Sequence, residues 1–285
     1  MPNILRKPEW LKIKLPDANV FSGMNENLKN KKLNTICQSG NCPNIGECWK
    51  SGTATFMILG DICTRNCRFC AVKTGNPLPE DWLEPSRVAE MISLLDLKHC
   101  VLTSVTRDDL PDGGATLWAE TVKQIRKINP DITIETLIPD FNGDISSLKK
   151  VTDVKPEIIS HNLETVERLT KTVRIKASYK ISLEVLKNIS LSGCTAKSGI
   201  MVGLGETDDE IFKTMDDLLN VGCKIMTIGQ YLQPTKEHLP LVEYITPEKF
   251  DYYKKIAVQK GFNYIESAPL VRSSYHAEKQ VVNKF

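Results

Sequence analysis

The chain has no apolar run approaching the ~18 residues of a membrane span, so no membrane role is expected. Its opening residues, "MPNILRKPEWLKIKLP", lack the unbroken apolar core of a secretory signal. They also lack the Arg- and Ser-rich, acid-free character of a mitochondrial presequence, which leaves a cytoplasmic setting as the expectation. An excess of one charge is missing too. Lys and Arg number 37, Asp and Glu 35, and the formal net charge is +2. Such a balance creates no strong global field, so neither nucleic acid nor an anionic membrane is an expected partner. There is no internal repeat and no low-complexity segment, and nothing points away from a monomer.

Cysteine, by contrast, is plentiful, with nine residues. In a reducing compartment, clustered cysteines bind metal or do redox chemistry more often than they form a disulfide framework. Six of the nine fall between Cys37 and Cys70. Cys100, Cys194 and Cys223 are scattered and read as small buried hydrophobes.

With 285 residues the chain can form one large α/β domain or two small ones. Residues 1–52 show no sustained period and read as an extension with short helices. From residue 54 strand-like and helix-like segments alternate. "ATFMILG" (54–60) is a continuous apolar run, as in a strand buried on both faces. Further strand patterns lie at 100–105, 132–139, 157–163, 197–205, 225–232 and 264–271. Helical patterns lie between them at 84–97, 115–128, after Asp144, at 164–170, 178–192 and 207–222, and from Thr246-Pro247 to about 259. The segment 207–222 opens with a T-x-x-E capping box, Thr207 and Glu210, and closes on Gly222. Six βα units in succession predict parallel strands with helices outside, in a partial (β/α)6 TIM-type barrel. Chemistry in such folds gathers at the C-terminal ends of the strands. The expected division is 1–52 as an N-terminal extension, 53–262 as the barrel and 263–285 as a C-terminal extension, all in one integrated unit.

The first cysteine triplet, Cys63, Cys67 and Cys70 in "DICTRNCRFCAV", follows the first of these strands at the spacing C-x3-C-x2-C. Zinc sites prefer paired C-x2-C units, and only one such spacing occurs. The four-cysteine ferredoxin run is absent as well. Three thiolates from one loop can hold three corners of a [4Fe–4S] cube and leave the fourth iron open. The triplet after the first barrel strand resembles that of radical S-adenosylmethionine enzymes. The resemblance implies that S-adenosylmethionine chelates the open iron and is cleaved to methionine and a 5′-deoxyadenosyl radical. The cofactor then carries the difficult step, while the protein orients it and excludes water. Phe69 looks like the aromatic residue that this loop often carries, with packing under the loop as its other role.

The second triplet, Cys37, Cys42 and Cys48 in "CQSGNCPNIGECW", has the spacing C-x4-C-x5-C. Alone it would also suit structural zinc. Together with the first triplet it resembles the lipoyl synthase family, as do "VLTSVTRDDLPDGGA", "ETLIPDF", "HNLETV", "KSGIMVGLGE", "TIGQYLQPTKEHLP" and "VRSSYHAEKQ", which follow that family's order. The resemblance implies a second, auxiliary [4Fe–4S] cluster on Cys37, Cys42 and Cys48. Its fourth ligand would be a serine of "RSSY", otherwise only a basic turn; the family pattern selects Ser274 over Ser273. A serine alkoxide is harder and more basic than a thiolate and leaves when protonated, which suits a cluster that is dismantled as a sulfur donor. The implied reaction is insertion of two sulfur atoms, at C6 and C8 of an octanoyl chain on a carrier lysine. The implied partners are octanoylated lipoyl carrier proteins, namely glycine cleavage H protein and E2 subunits of 2-oxoacid dehydrogenases. A low-potential electron donor and a cluster-repair carrier are implied as well.

Other residues are singled out by position. Thr103, Ser104 and Asn162 lie at strand ends facing the expected S-adenosylmethionine site. Glu206 either contacts that cofactor or caps the following helix. Gly113 and Gly114 permit close backbone approach or merely turn the chain. Arg65 and Arg68 either balance cluster charge or face solvent. His161 is a candidate ligand or a hydrogen-bonded structural residue. Arg272 either positions the serine turn or carries a peptide contact. Thr106 and Ser160 depart from the family pattern, which has Asp and Asn there, so no role is carried over to them. A basic arm (Arg6, Lys7, Lys12, Lys14, Lys29, Lys31 and Lys32 against Glu9, Asp17 and Glu26) either meets an acidic carrier or is simply solvated. Two other functions remain open: a radical enzyme with a durable auxiliary cluster, the nearest chemistry being biotin synthase-like, and a non-catalytic iron–sulfur or zinc scaffold that binds lipoyl carriers.

Overall fold

The computed structural model describes residues 6–13, 18–50, 54–275 and 277–280. Lys14, Asp17 and the expected boundary at 52/53 lie outside the described residues. The N-terminal segment carries helix α1 (Ala18–Asn30), strand β1 (Asn34–Thr35) and helices α2 (Ile36–Ser39) and α3 (Ile45–Lys50). Strand β2 (Thr55–Ile58) is buried at every residue, as its unbroken apolar run predicts. After β2 come two short strands, β3 (Ile62–Cys63) and β4 (Lys73–Thr74), which pair with each other.

The alternation then follows the expected order. It runs α4 (Glu84–Leu94), β5 (His99–Ser104), α5 (Ala115–Ile128), β6 (Thr133–Leu137), α6 (Ile145–Asp153) and β7 (Ile158–Ser160). It continues with α7 (Thr170–Val173), α8 (Tyr179–Leu191), β8 (Thr195–Val202), α9 (Asp208–Asn220), β9 (Ile225–Gln230), α10 (Pro247–Lys260) and β10 (Tyr264–Ser267). The capping box at Thr207 and Glu210 starts α9. Thr246 caps α10, which ends on left-handed Gly261.

The main sheet has the order β1-β2-β5-β6-β7-β8-β9-β10. From β2 to β10 every pairing is parallel, while β1 joins β2 antiparallel through Asn34↔Met57 and Thr35↔Phe56. The edge strands β1 and β10 do not pair, so the sheet is open: a partial barrel. The strand pattern at 264–271 forms β10, a seventh parallel strand after the six βα units, and the N-terminal segment contributes β1. The sheet therefore reaches past the expected barrel bounds of 53–262 on both sides.

Successive strand residues leave opposite faces. Leu102, Ile134, Ile159, Ala196 and Met226 join residues of the helices, such as Val88, Trp118 and Leu186, in the main core. The residues between them face inward. There Lys197 donates to both oxygens of Glu135, at 2.7 and 3.0 Å, and both side chains are wholly buried. Ser160, one of the two positions outside the family pattern, donates to Glu135 Oε1 at 2.8 Å. Its hydroxyl belongs to the packed polar interior of the barrel.

Candidate functional site

The first triplet is aimed by the turn that ends β2. Leu59 and Gly60 both have positive φ, +67° and +94°. Such a φ is costly for leucine, and the conformation is held from outside. The Glu84 carboxylate, at the start of α4, accepts from the Leu59 N–H at 2.7 Å. Burial pushes the Glu84 carboxyl up to about 7. Beyond the turn, Cys63 Sγ accepts from two main-chain amides, Arg65 at 3.4 Å and Thr106 at 3.3 Å. Thr106 O in turn accepts from the Thr64 amide and hydroxyl, both at 3.0 Å. Thr106 therefore meets the loop through its backbone, which most side chains allow.

Arg65 does not face solvent. Its guanidinium is buried and forks onto two carboxylates: Asp108 at 2.7 and 2.8 Å and Asp140 at 2.8 and 2.8 Å. It also donates to Asn142 Oδ1 at 2.7 Å. Asp108 follows β5 and Asp140 follows β6, so one arginine ties the cysteine loop to the next two strand ends. The paired guanidinium holds the Asp140 carboxyl down at about 2, against the effect of burial. Arg68 is exposed. Phe69 packs beside Val173, Leu204, Tyr231 and Leu239. Burial raises the thiols of Cys67 and Cys70, the latter to about 12, so a metal bound there has protons to displace.

Around this loop the expected cofactor residues divide. Thr103 donates to Leu137 O at 3.2 Å on the inner face. Ser104 is the next strand residue and so leaves the other face, and its buried Oγ has no partner. The expectation that both face the site is corrected by this alternation. Asn162 Nδ2 donates to Glu164 Oε1 at 3.1 Å and to Ser273 Oγ at 2.6 Å. Its buried Oδ1 has no partner. Glu206 accepts from the amides of Gly203 and Leu204, the latter at 3.0 Å, and thereby braces the "GLG" turn. It does not cap the following helix, since Thr207 and Glu210 do that. Gly113 and Gly114 form a turn: a Cβ on Gly114 would meet Leu59 Cδ1 at 2.5 Å.

His161 lies in a closed network. Nδ1 donates to Ile138 O at 2.9 Å, which fixes the proton there, because a carbonyl only accepts. Nε2 then accepts from Ser182 Oγ at 2.9 Å, and Ser182 accepts from Arg174 Nη1 at 3.2 Å. Burial and the neighbouring Arg174 push the imidazole down to about 4. A histidine with both nitrogens engaged is a structural residue.

The second triplet sits at the other end of the strands. Cys37, Cys42, Cys48 and Ser274 line one cavity that communicates with solvent. Thr55, Val101 and Arg272 complete much of its wall. Thr55 is the first residue of β2, so this cavity lies at the N-terminal strand ends, whereas the first triplet follows the C-terminal ends. Strand β1 brings the cysteine segment here by pairing with β2, and Asn44 Nδ2 anchors the tail by donating to Leu270 O at 2.7 Å. Within the tail, Ser274 Oγ is 2.8 Å from Thr55 Oγ1, while Ser273 points to Asn162. Arg272 Nη1 donates to Val271 O at 2.6 Å.

The donor sets fit iron–sulfur clusters. All six thiols are free, and the second set adds a hydroxyl. Two amide N–H groups are aimed at Cys63 Sγ, and hydrogen bonds to sulfur are one of the ways a protein tunes an iron–sulfur cluster. Among the described residues, no three His, Cys, Asp or Glu side chains converge as they would around a single metal ion. Cys100, Cys194 and Cys223 are buried in the core, as expected of small hydrophobes.

Several residues of the site escaped the sequence pattern. The Arg65 partners Asp108 and Asp140 are visible only as acids in loops after strands. Glu164, within "HNLET", has φ +67° and lies close enough to Cys67 and Cys70 to raise their thiols. Its outlying backbone has no local sequence signal.

Comparison with known proteins fits this geometry. Residues 57–218 match the Radical SAM superfamily model. Lipoyl synthase from Parabacteroides distasonis is 56% identical over 281 residues, covering 99% of this chain and 100% of that protein. The mitochondrial lipoyl synthase of Nematostella vectensis is 56% identical over 276 residues, covering 96% and 95%. Among solved structures, Streptococcus suis SuiB bound to S-adenosylmethionine aligns with TM-score 0.59 at 11% identity, covering 80% of this chain and 54% of that one. Methylornithine synthase aligns with TM-score 0.54 at 12% identity, covering 74% and 69%. These two likenesses concern the fold alone. On the full-length identities and the matched superfamily model, the chain belongs to the lipoyl synthase family of the Radical SAM superfamily.

Proposed function

We propose that this chain inserts two sulfur atoms, at C6 and C8, into an octanoyl group amide-linked to a lysine of a lipoyl carrier protein. The observation that carries this reading is the pairing of two donor sets across one barrel. Cys63, Cys67 and Cys70 stand beyond the C-terminal strand ends, and Cys37, Cys42, Cys48 and Ser274 line the cavity at the N-terminal ends. Strand β2, which joins them, has four residues and a length of roughly 13 Å.

When bound, the two [4Fe–4S] clusters and S-adenosylmethionine supply the electron, the hydrogen-abstracting radical and the sulfur. The chain's own residues do the rest. Cys63, Cys67 and Cys70 would hold the first cluster, with the Arg65 clamp fixing their loop. Asn162 would meet S-adenosylmethionine through its unpartnered Oδ1, beside Thr103 and Glu164. Glu206 serves that site indirectly, by bracing the "GLG" turn. Cys37, Cys42 and Cys48 would hold the auxiliary cluster, with Ser274 as its releasable leg. On this reading residues 1–52 and 263–285 supply the two halves of one auxiliary site, and their strands β1 and β10 join them to the barrel sheet.

The substrates are octanoylated carriers such as glycine cleavage H protein and E2 subunits, and a low-potential donor and a cluster-repair carrier complete the cycle. Among the described residues no helix is long and apolar enough to cross a membrane. The test is a one-turnover reaction with an octanoyl-lysine peptide, followed by mass spectrometry. Hydrogen loss and sulfur gain at two carbons is the expected outcome. Loading of zinc with no cleavage of S-adenosylmethionine would sink the reading.

A further inference from the structure

Thr55 stands where the two halves of the auxiliary site meet. It is the first residue of β2, the strand that leads to the other cysteine triplet. It is 5% exposed and lines the same cavity as Cys37, Cys42, Cys48 and Ser274. Its side-chain Oγ1 lies 2.8 Å from Ser274 Oγ. Cys37 and Ser274 come from distant parts of the chain, and each is attached to the barrel nearby. Cys37 follows β1, which is paired with β2, and Ser274 lies in the tail anchored at Leu270 by Asn44.

A serine hydroxyl has three staggered rotamers, and a turn by itself does little to choose among them. One hydrogen bond to a fixed strand residue selects the rotamer that leaves Oγ in the cavity. When Ser274 ligates a metal as an alkoxide it has no proton to donate, so the Thr55 hydroxyl must be the donor. A hydrogen bond to a charged oxygen is stronger than one between neutral groups. We propose that Thr55 is the positioning residue of the auxiliary site: its hydroxyl aims and retains Ser274. The proposal rests on the reading of Ser274 as a cluster leg. It makes the lifetime of that leg a property of β2 as well as of the tail.

The test uses the full chain with Cys63, Cys67 and Cys70 replaced by alanine, reconstituted anaerobically so that only the auxiliary cluster is present. Ferricyanide takes one electron per cluster, converting [4Fe–4S]²⁺ to paramagnetic [3Fe–4S]⁺ plus released Fe²⁺ and ferrocyanide. The rate of appearance of the [3Fe–4S]⁺ signal measures how firmly the fourth iron is held. Thr55→Val and Thr55→Ala, which lack the hydroxyl, should lose iron roughly tenfold faster, the scale of one lost hydrogen bond to a charged group. Thr55→Ser should restore the parent rate, and thermal melting of each chain reports whether it folds.

If Thr55→Val and Thr55→Ala match the parent, the proposal is overturned. It is also overturned if Thr55→Ser is as fast as they are, because packing and not the hydroxyl would then be responsible. Ser274→Ala, run alongside, separates the two readings. If Ser274→Ala releases iron no faster than the parent, the assignment of Ser274 itself fails and takes the proposal with it. If Ser274→Ala is fast and the hydroxyl-free Thr55 variants are not, only the role of Thr55 fails.

Discussion

Asn162 and Ser273 are joined by a 2.6 Å hydrogen bond from Nδ2 to Oγ, which links the loop after β7 to the C-terminal turn. The neighbouring Ser274 faces the opposite way, toward Thr55 and the cavity of the second triplet. Two adjacent serines thus serve two different sites. Their variants should separate. Ser274→Ala removes a donor from the cysteine cavity, and product in a single turnover should fall at least about tenfold. Ser273→Ala removes one hydrogen bond of about 1 kcal/mol, so its loss should be no more than roughly fivefold. Iron per chain should be unchanged in Ser273→Ala. Equal losses in the two variants would contradict the division of labour.

Arg65 offers a second prediction. Its side chain is 5% exposed, and that of Asp140 is 3% exposed. The bond to Asp108 is bidentate, and so is the bond to Asp140. Lysine carries the charge but not the planar fork. Arg65→Lys should therefore leave carboxylate oxygens unpaired and destabilise the chain by roughly 2–4 kcal/mol, somewhat less than the about 3–5 kcal/mol of a buried pair that loses a charge outright, because lysine keeps the charge. The midpoint of urea unfolding measures this. Because the clamp holds the Cys63–Cys70 loop, iron bound by the first triplet should fall in the same variant. A variant with parent stability and full iron content would remove Arg65 from the account of the loop.

Much of this arrangement is legible in the sequence, and the boundary of what is legible is physical. Helix and strand patterns depend on local periodicity, so the run 54–60 and the capping box at Thr207 and Glu210 stand out. The cysteine spacings are local too. The Arg65 clamp is not, since Asp108 and Asp140 lie 43 and 75 residues further on. The placement of the second cavity depends on the pairing of Asn34–Thr35 with β2, a strand too short to leave a pattern. Thr103 and Ser104 are a different case. The period of two that separates their side chains was available from the sequence, and only one of them can face inward. The curated relatives identify the family, but the partners of its individual side chains come from the fold.

His161 makes stability depend on pH in a definite direction. Its imidazole is pushed down to about 4 from an unfolded value near 6.5, by burial and then by Arg174. Asp140 acts the other way, and Arg65 adds slightly to the lowering. The folded state thus binds fewer protons than the unfolded state between these values. Stability from this group is complete above pH 6.5 and is lost as pH falls toward 4. Between pH 7 and 5 the loss should be on the order of 2 kcal/mol. His161→Gln keeps an amide able to bond Ile138 and Ser182 but does not titrate. The difference in urea midpoint between parent and variant should therefore shift in the variant's favour as pH drops from 7 to 5. A constant difference would mean that His161 does not carry the proton linkage.

The buried pair Glu135–Lys197 gives the last prediction. Both side chains are fully buried, and Ser160 adds a third polar group to Glu135. Two desolvated charges gain little from each other beyond their own desolvation cost, but leaving one alone is severe. Lys197→Met strands the Glu135 carboxylate and should cost about 3–5 kcal/mol, and Glu135→Leu should cost as much by stranding the ammonium. The double variant removes both charges and leaves only the Ser160 hydroxyl without its acceptor. It should recover most of the loss, giving a coupling energy of at least about 2 kcal/mol in a double-mutant cycle. If that double variant folds stably, its single-turnover yield separates stability from function. Activity near the parent's would make the pair a structural element of the barrel. Stable folding with lost activity would mean that the inner face needs these charges for the reaction it encloses.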